Sequence, residues 1–351
     1  MTLRTNSRHC WFAQHFCTAR SIDPGVVLVI SASEQKAAVS RPIVLFVLGM
    51  GRSGTSALTR VLSLCGATSP AGVLGADASN PRGYWEPRAA LYLNEKFLYR
   101  HGSSYFDPTL RLQEEGALGD EERAAFIAKI AAYLRTLPAA PLVVIKVLHI
   151  SVLSDLWFEA ARMAGFDLAV VIAVREPQEV IASLSKFMRA SPELSSALWL
   201  KYNLLAERDT RGQPRVVVEY ANFLDDWRRE MKRISKILHI DLDPEDEGAV
   251  EEFLEQDLRR QRQCGPVMEA FGTDWLSVVY EALSAAAIDE SWDESALDRV
   301  FEAYRASEHG FRTAFEDFRG HFNVLYRFSR TFIRPLFEGL ALAHGRRGTW
   351  A

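Results

Sequence analysis

Short unbroken apolar runs alternate along this chain with longer stretches whose apolar positions recur every three to four residues. The runs Ile43–Leu48, Leu142–Ile145 and Leu168–Val174 are rich in β-branched residues and show no polar alternation. They read as strands buried on both faces. Arg215–Val218 supplies a fourth. Helical patterns fill the intervals: Ser56–Cys65 closed by Gly66, Arg88–Tyr99, Asp120–Leu137 with Asp120 as N-cap, and Ser151–Ala164 closed by Gly165. A helix from Pro177 past Ser183, a segment capped by Ser191-Pro192 and running to Asp209, and a helix from Asn222 to about His239 follow. This alternation predicts an α/β domain with a mostly parallel sheet, helices on both faces, and a helical carboxyl-terminal elaboration. The domain is expected over 41–290. Ser291-Trp292-Asp293-Glu294, a capping-box pattern, opens a helical extension over 291–351.

The first apolar run delivers Gly49-Met50-Gly51-Arg52-Ser53-Gly54-Thr55-Ser56, with three glycines inside six residues, directly ahead of a helix. Strand, glycine loop, helix aims backbone N–H groups and a helix N-terminus at an anion. The spacing fits a phosphate-binding P-loop with one exception. Thr55 stands where that motif has its lysine, and the cation sits three residues earlier as Arg52. An anion held here is therefore gripped differently from the triphosphate of a nucleoside triphosphatase.

Three further places carry candidate chemistry. Asn80-Pro81-Arg82-Gly83-Tyr84-Trp85-Glu86-Pro87 brackets a carboxylate with aromatics. A carboxylate against aromatic surface loses solvation and suits a general base near neutral pH; alternatively Glu86 only favours the start of the next helix. Lys146 and His149 follow the second strand, at the edge where ligands collect in open α/β sheets. His149 is a candidate base or a plain loop histidine, and Lys146 a candidate anion ligand. Arg175 leaves the third strand, with Ser183 eight residues on. Together they suit a second phosphate, and the alternative for Arg175 is a structural ion pair.

Composition narrows the picture. The chain has 351 residues, 48% hydrophobic and 25% charged, with a formal charge of -4. That balance describes a globular protein with no overall nucleic-acid signature, so an anionic ligand must be met by local cations. Cys10, Cys17, Cys65 and Cys264 form neither a CxxC pair nor a zinc spacing, which favours a reducing, cytoplasmic location and implies no metal. Residues 1–40 read as an extension without signal-peptide or membrane-spanning character. Phe322–Leu342 mixes aromatics with arginines, and reads as a lid on the core or a peripheral membrane contact.

Two separated motifs together resemble the sulfotransferases that use 3′-phosphoadenosine 5′-phosphosulfate (PAPS). Gly51-Arg52-Ser53-Gly54-Thr55-Ser56 is similar to the loop that holds the 5′-phosphosulfate, and Arg175 with Ser183 to the pair that grips the 3′-phosphate. Val216–Leu224 resembles a weaker third motif, which implies Tyr220 near the adenine. Asn80–Glu86 is similar to a segment of bacterial and carbohydrate-acting members, which implies Glu86 as the acceptor's base. Departures remain. Lys146-Val147-Leu148-His149 replaces the Lys-Asp-Pro-Arg of related bacterial proteins, His149 stays a second candidate base, and no clear match exists for the Arg-Lys-Gly motif beyond the Arg259, Arg260 and Arg262 cluster.

The resemblance implies transfer of a sulfonate from PAPS to a hydroxyl, or an amine, of a small-molecule or glycan acceptor, with a carbohydrate or glycolipid favoured. Arg52 would stabilise charge on the leaving phosphate. A P-loop kinase and a non-catalytic nucleotide-binding protein are the alternatives.

Overall fold

A computed structural model describes residues 41–77, 80–254, 267 and 270–316. They belong to a compact unit that begins at Arg41. Four strands, β1 (Ile43–Leu48), β2 (Leu142–Ile145), β3 (Asp167–Val174) and β4 (Arg215–Glu219), form one sheet in the order β2-β1-β3-β4. Every pairing is parallel, in registers that join Ile43 to Leu142, Phe46 to Val170 and Val174 to Glu219.

The continuous apolar runs have a direct cause. Val44, Phe46 and Leu48 face one hydrophobic cluster while Leu45 and Val47 face another, so neither side of β1 meets water. The helices that cover the two faces are α1 (Thr55–Leu64), α2 (Arg88–Arg100), α3 (Asp120–Leu134), α4 (Ser154–Ala164), α5 (Pro177–Met188) and α6 (Pro192–Asp209). They continue with α7 (Tyr220–Asp225), α8 (Trp227–Leu238), α9 (Glu247–Leu254) and α10 (Trp275–Ala286), and α11 spans 294–316. Core residues of α3, α4, α6, α10 and α11 join the first cluster, and those of α1, α8 and α9 the second.

Several helix ends differ from the sequence reading. The helix expected from Asn222 is two, because Asp226 leaves helical geometry (φ -148, ψ 85) and its carboxylate instead accepts from Arg229 N, starting α8. Asp120 lies inside the first turn of α3 behind Gly119 and makes no capping bond. That helix ends at Leu134 rather than Leu137. At α11 the cap is Asp293, whose Oδ1 accepts from Ser295 N at 2.9 Å, and not Ser291. Ser191 does cap α6, accepting from Leu194 N.

From β1 the chain runs to β2 on one side and then to β3 on the other. The point where strand order reverses lies between β1 and β3, and crevices open beyond the carboxyl ends of strands at such points. The glycine loop leaves β1 there, and Arg175 leaves β3 beside it. Residues 1–40, the Arg259–Arg262 cluster and Phe322–Leu342 lie outside the described residues.

Candidate active site

Gly49 has φ 122, and a Cβ on it would stand 2.3 Å from the carbonyl oxygen of Ala173 on β3. Only glycine lets the loop pass so close to the neighbouring strand. Ser151 pins the same residue from the other side, with its Oγ accepting from Gly49 N at 3.0 Å. Gly54 turns the chain into α1 at φ 84, and a Cβ there would meet the Tyr220 ring at 2.1 Å. Gly54 provides no side-chain cap, so the N-terminal amides of α1 face outward without one, the arrangement an anion fills.

Gly51 is glycine for a different reason. It is absent from the left-handed residues, and Arg52 takes that conformation instead with φ 72. A Cβ on Gly51 would lie 2.3 Å from the hydroxyl of Tyr105. The sequence contains no local sign of this approach, because Tyr105 sits in the long loop between α2 and α3.

Arg52, Gly54, Thr55, Ser56, Arg175, Ser183 and Tyr220 all line one open cleft, joined by Asn80, Arg82, Phe187 and Phe253. The two motifs therefore meet, although their pairing differs from the simplest expectation. Ser183 Oγ accepts from Arg52 Nε at 2.9 Å, while Arg175 Nε donates to Glu179 Oε2 at 2.7 Å, an ion pair one helical turn long. Arg175 also donates to the Arg52 carbonyl at 3.1 Å, and its guanidinium lies over the Tyr220 ring, 4.9 Å from the centroid. Arg175 is thus both an ion-pair partner and a wall of the cleft. Ser53 is buried, with a hydroxyl that has no hydrogen-bond partner.

Ser56 connects this cleft to a second group of side chains. Its Oγ accepts from Asn80 Nδ2 at 3.2 Å and from Lys146 Nζ at 3.3 Å. Lys146 donates to Glu86 Oε1 at 2.6 Å and to the Tyr84 carbonyl at 3.3 Å. Both Lys146 and Glu86 are buried, and neither lines the cleft itself. The ammonium expected to meet an anion is therefore committed first to a carboxylate. Glu86 does not cap α2, where Pro87 is the N-cap and no side chain accepts. The flanking aromatics are packing groups: Tyr84 donates to Asp77 at 2.8 Å, and Trp85 donates to the Arg82 carbonyl beneath the Arg60 guanidinium.

His149 is buried behind Lys146, and burial pushes its imidazole down to about 4, with Glu86 opposing that shift and Lys146 adding to it. Its Nδ1 has no partner. The Tyr105 ring meets it edge-on, 6.2 Å between centroids, and the Tyr105 hydroxyl is likewise buried without a partner. Burial raises that phenol, which feels both Arg52 and Glu86. The loop carrying Tyr105 is anchored from two sides. Lys201, buried on α6, donates to the Asp107 carbonyl at 2.9 Å, and Tyr202 donates to the Tyr105 carbonyl at 3.2 Å. From α11, Glu308 accepts from Leu110 N at 3.1 Å, Arg312 pairs with Glu114, and Tyr304 donates to the Pro108 carbonyl.

Among the described residues no group of His, Cys, Asp and Glu could hold a metal ion, and no helix is long and apolar enough to cross a membrane. No protein-family model matches the chain, and no curated protein does. Solved structures similar to it include the sulfotransferase domain of the Synechococcus PCC 7002 olefin synthase, 19% identical over 72% of this chain and 98% of that domain, with a TM-score of 0.43. Sulfotransferase STF9 from Mycobacterium avium is 17% identical over 77% of each chain, with a TM-score of 0.36. Sulfotransferase STF1 from Mycobacterium tuberculosis H37Rv is 17% identical over 62% of this chain and 72% of that one, with a TM-score of 0.31.

Proposed function

We propose that the protein transfers a sulfonate group from PAPS to a hydroxyl, or an amine, of a small-molecule or glycan acceptor, with a carbohydrate or glycolipid favoured. The observation that carries this reading is the convergence of the glycine loop, Arg52, Arg175 and Ser183 in one cleft whose floor residue, Ser56, leads through Lys146 to Glu86.

The residues present fit such a donor. Arg52, Arg82 and Arg175 line the cleft together with the hydroxyl-bearing Thr55, Ser56 and Ser183, a set of donors that suits an oxygen-rich anion. In this reading the loop amides and Arg52 hold the 5′-phosphosulfate, Arg175 and Ser183 the 3′-phosphate, and Tyr220 a face of the adenine.

In the transfer, the bond between sulfur and the bridging oxygen of the 5′-phosphate breaks as the acceptor oxygen bonds to sulfur. The acceptor's proton passes to Glu86, and the leaving phosphate keeps the electron pair. Arg52 and the loop amides are aimed at that growing charge before it forms, which is how preorganised dipoles lower a barrier. In this reading Tyr105 adds a hydroxyl donor beside Gly51. His149, whose imidazole burial holds neutral, is the second candidate for that proton.

A cytoplasmic location accords with this reading. Cys65, the cysteine among the described residues, is a buried thiol pushed up to about 11 by burial and by Asp243 and Glu247. The deciding experiment incubates purified protein with PAPS and a panel of glycans, lipids and phenols, and identifies any nucleotide that copurifies. Sulfated product and 3′-phosphoadenosine 5′-phosphate support the transferase. ADP or ATP would point to the kinase, and binding without turnover to a non-catalytic protein.

A further inference from the structure

The cleft is cationic in a chain whose formal charge is -4. Arg52, Arg82 and Arg175 line it, and no acidic side chain among the described residues does. The cations around it are not equivalent. Arg175 faces the buried Glu179 at 2.7 Å, and Lys146 faces Glu86 at 2.6 Å. Each pair is neutral as a unit, so its pull on an approaching anion is weak. Arg52 is turned onto α5, where it donates to Ser183 and lies over the Phe187 ring, 5.1 Å from the centroid.

Arg82 stands apart on the α9 side. Its Nη2 donates to the Glu252 carbonyl at 3.3 Å, and its guanidinium lies over the Phe253 ring, 5.4 Å from the centroid. Neither contact carries a formal negative charge, and no described carboxylate pairs with it. The residue is nonetheless fixed in place. Gly83, at φ 88, donates its N–H to the Asn80 carbonyl at 3.0 Å, and the Asn80 amide donates to Ser56 Oγ at 3.2 Å. Trp85 Nε1 donates to the Arg82 carbonyl at 2.9 Å. The turn that carries Arg82 is thus tied to the first turn of α1, while its head rests on buried Phe253. A cation positioned before its ligand arrives loses little freedom on binding.

We propose that Arg82 sets the charge selectivity of the cleft, as the cation whose uncompensated charge draws in and holds a polyanionic nucleotide from the α9 wall. The role rests on the cleft being the donor site. Arg175, cancelled by Glu179, recognises a phosphate through its hydrogen bonds. Arg82 answers to the amount of negative charge the ligand brings.

Calorimetry on the full chain tests this with 3′-phosphoadenosine 5′-phosphate, ADP and inorganic pyrophosphate, in sodium chloride from about 0.05 to about 0.5 M. Arg82→Gln should weaken 3′-phosphoadenosine 5′-phosphate by about tenfold or more at low salt, and flatten the dependence of affinity on salt. Arg82→Met, which keeps the aliphatic packing on Phe253, should do the same. Arg82→Lys keeps the charge without the planar head, and should retain the parent's salt dependence. The double variant Arg175→Ala, Glu179→Gln removes one charge of each sign, and should lose affinity with its salt dependence intact. In turnover, Arg82→Gln should raise KM for PAPS and leave kcat within about threefold. The proposal is overturned if both uncharged variants lose less affinity than this at low salt, or if their salt dependence matches the parent's. Should the cleft bind ADP and not 3′-phosphoadenosine 5′-phosphate, sulfonate transfer is ruled out and the same comparison on ADP decides the role of Arg82.

Discussion

Lys146 places its ammonium 2.6 Å from Glu86 Oε1, with both side chains buried and the same ammonium 3.3 Å from Ser56 Oγ at the end of the glycine loop. The proposed base and the proposed nucleotide site thus share one cation. Glu86→Gln keeps the shape and an acceptor for Lys146 but removes the counter-charge of a buried ammonium, so stability should fall by about 3–5 kcal/mol while the folded variant keeps its affinity for 3′-phosphoadenosine 5′-phosphate. Turnover with saturating PAPS should fall by about two to four orders of magnitude. Lys146→Met instead strands a buried carboxylate, and should cost about 3–5 kcal/mol in denaturant unfolding. If Glu86→Gln turns over within tenfold of the parent, the base lies elsewhere.

His149 makes a pH prediction whose sign is fixed by burial. The imidazole is lowered from 6.5 to about 4 in the folded protein. Below pH 6.5 the unfolded chain takes up a proton that the folded chain refuses until about pH 4. The contribution of His149 to stability is therefore whole above pH 6.5 and is lost as the pH falls toward 4, by about 3 kcal/mol. His149→Gln should flatten the stability curve across that window, as urea unfolding at several pH values would show. Parallel curves for parent and variant would contradict the burial argument. Activity should fall far less in His149→Ala than in Glu86→Gln.

Arg175 must be tested together with Glu179. Removing the arginine alone leaves the fully buried Glu179 carboxylate without its cation, a loss of about 3–5 kcal/mol that would obscure any binding effect. The double variant Arg175→Ala, Glu179→Gln avoids that. Calorimetry should show affinity for 3′-phosphoadenosine 5′-phosphate reduced roughly ten- to a hundredfold, with ADP affected much less. Equal losses for both nucleotides would remove the 3′-phosphate from this residue.

Tyr105→Phe separates a chemical role from a structural one. The hydroxyl has no partner to lose, so its deletion should leave stability unchanged or raise it by about 1 kcal/mol. Turnover should drop about tenfold or more, the worth of one hydrogen bond to the reacting groups. A stability loss with unaltered turnover would make Tyr105 a packing residue only.

The parts of this site that lie next to one another in sequence were legible there, and the parts joined across the fold were not. Unbroken β-branched runs announced β1 and β3 because both faces of the sheet are covered, and the loop and Arg175 follow from where those strands end. The pairing of Glu86 with Lys146 spans 60 positions, and it exists because β2 ends beside the segment that precedes α2. Nothing local encodes that approach. The same holds for Gly51, which looks like one more flexible loop glycine but is small to admit Tyr105, while Arg52 takes the left-handed turn. The misread helix ends share another cause. Aspartates such as Asp120 and Asp293 favour both caps and first turns, and the neighbouring backbone decides between them.

The clamp from α11 onto the loop 108–114 bears on how the protein is made. Every described residue lining the cleft lies at or before Phe253, but the loop holding Tyr105 is fastened by Tyr304, Glu308 and Arg312. Ribosomes add roughly 5–20 residues per second, so about ten to forty seconds of translation separate Tyr105 from the arginine that secures its loop. The cleft's lining can assemble on the growing chain while the loop that brings Tyr105 to Gly51 is still unfastened. A polypeptide stalled after Phe253 and before Tyr304 would carry every described residue that lines the cleft while the loop holding Tyr105 still lacked its clamp.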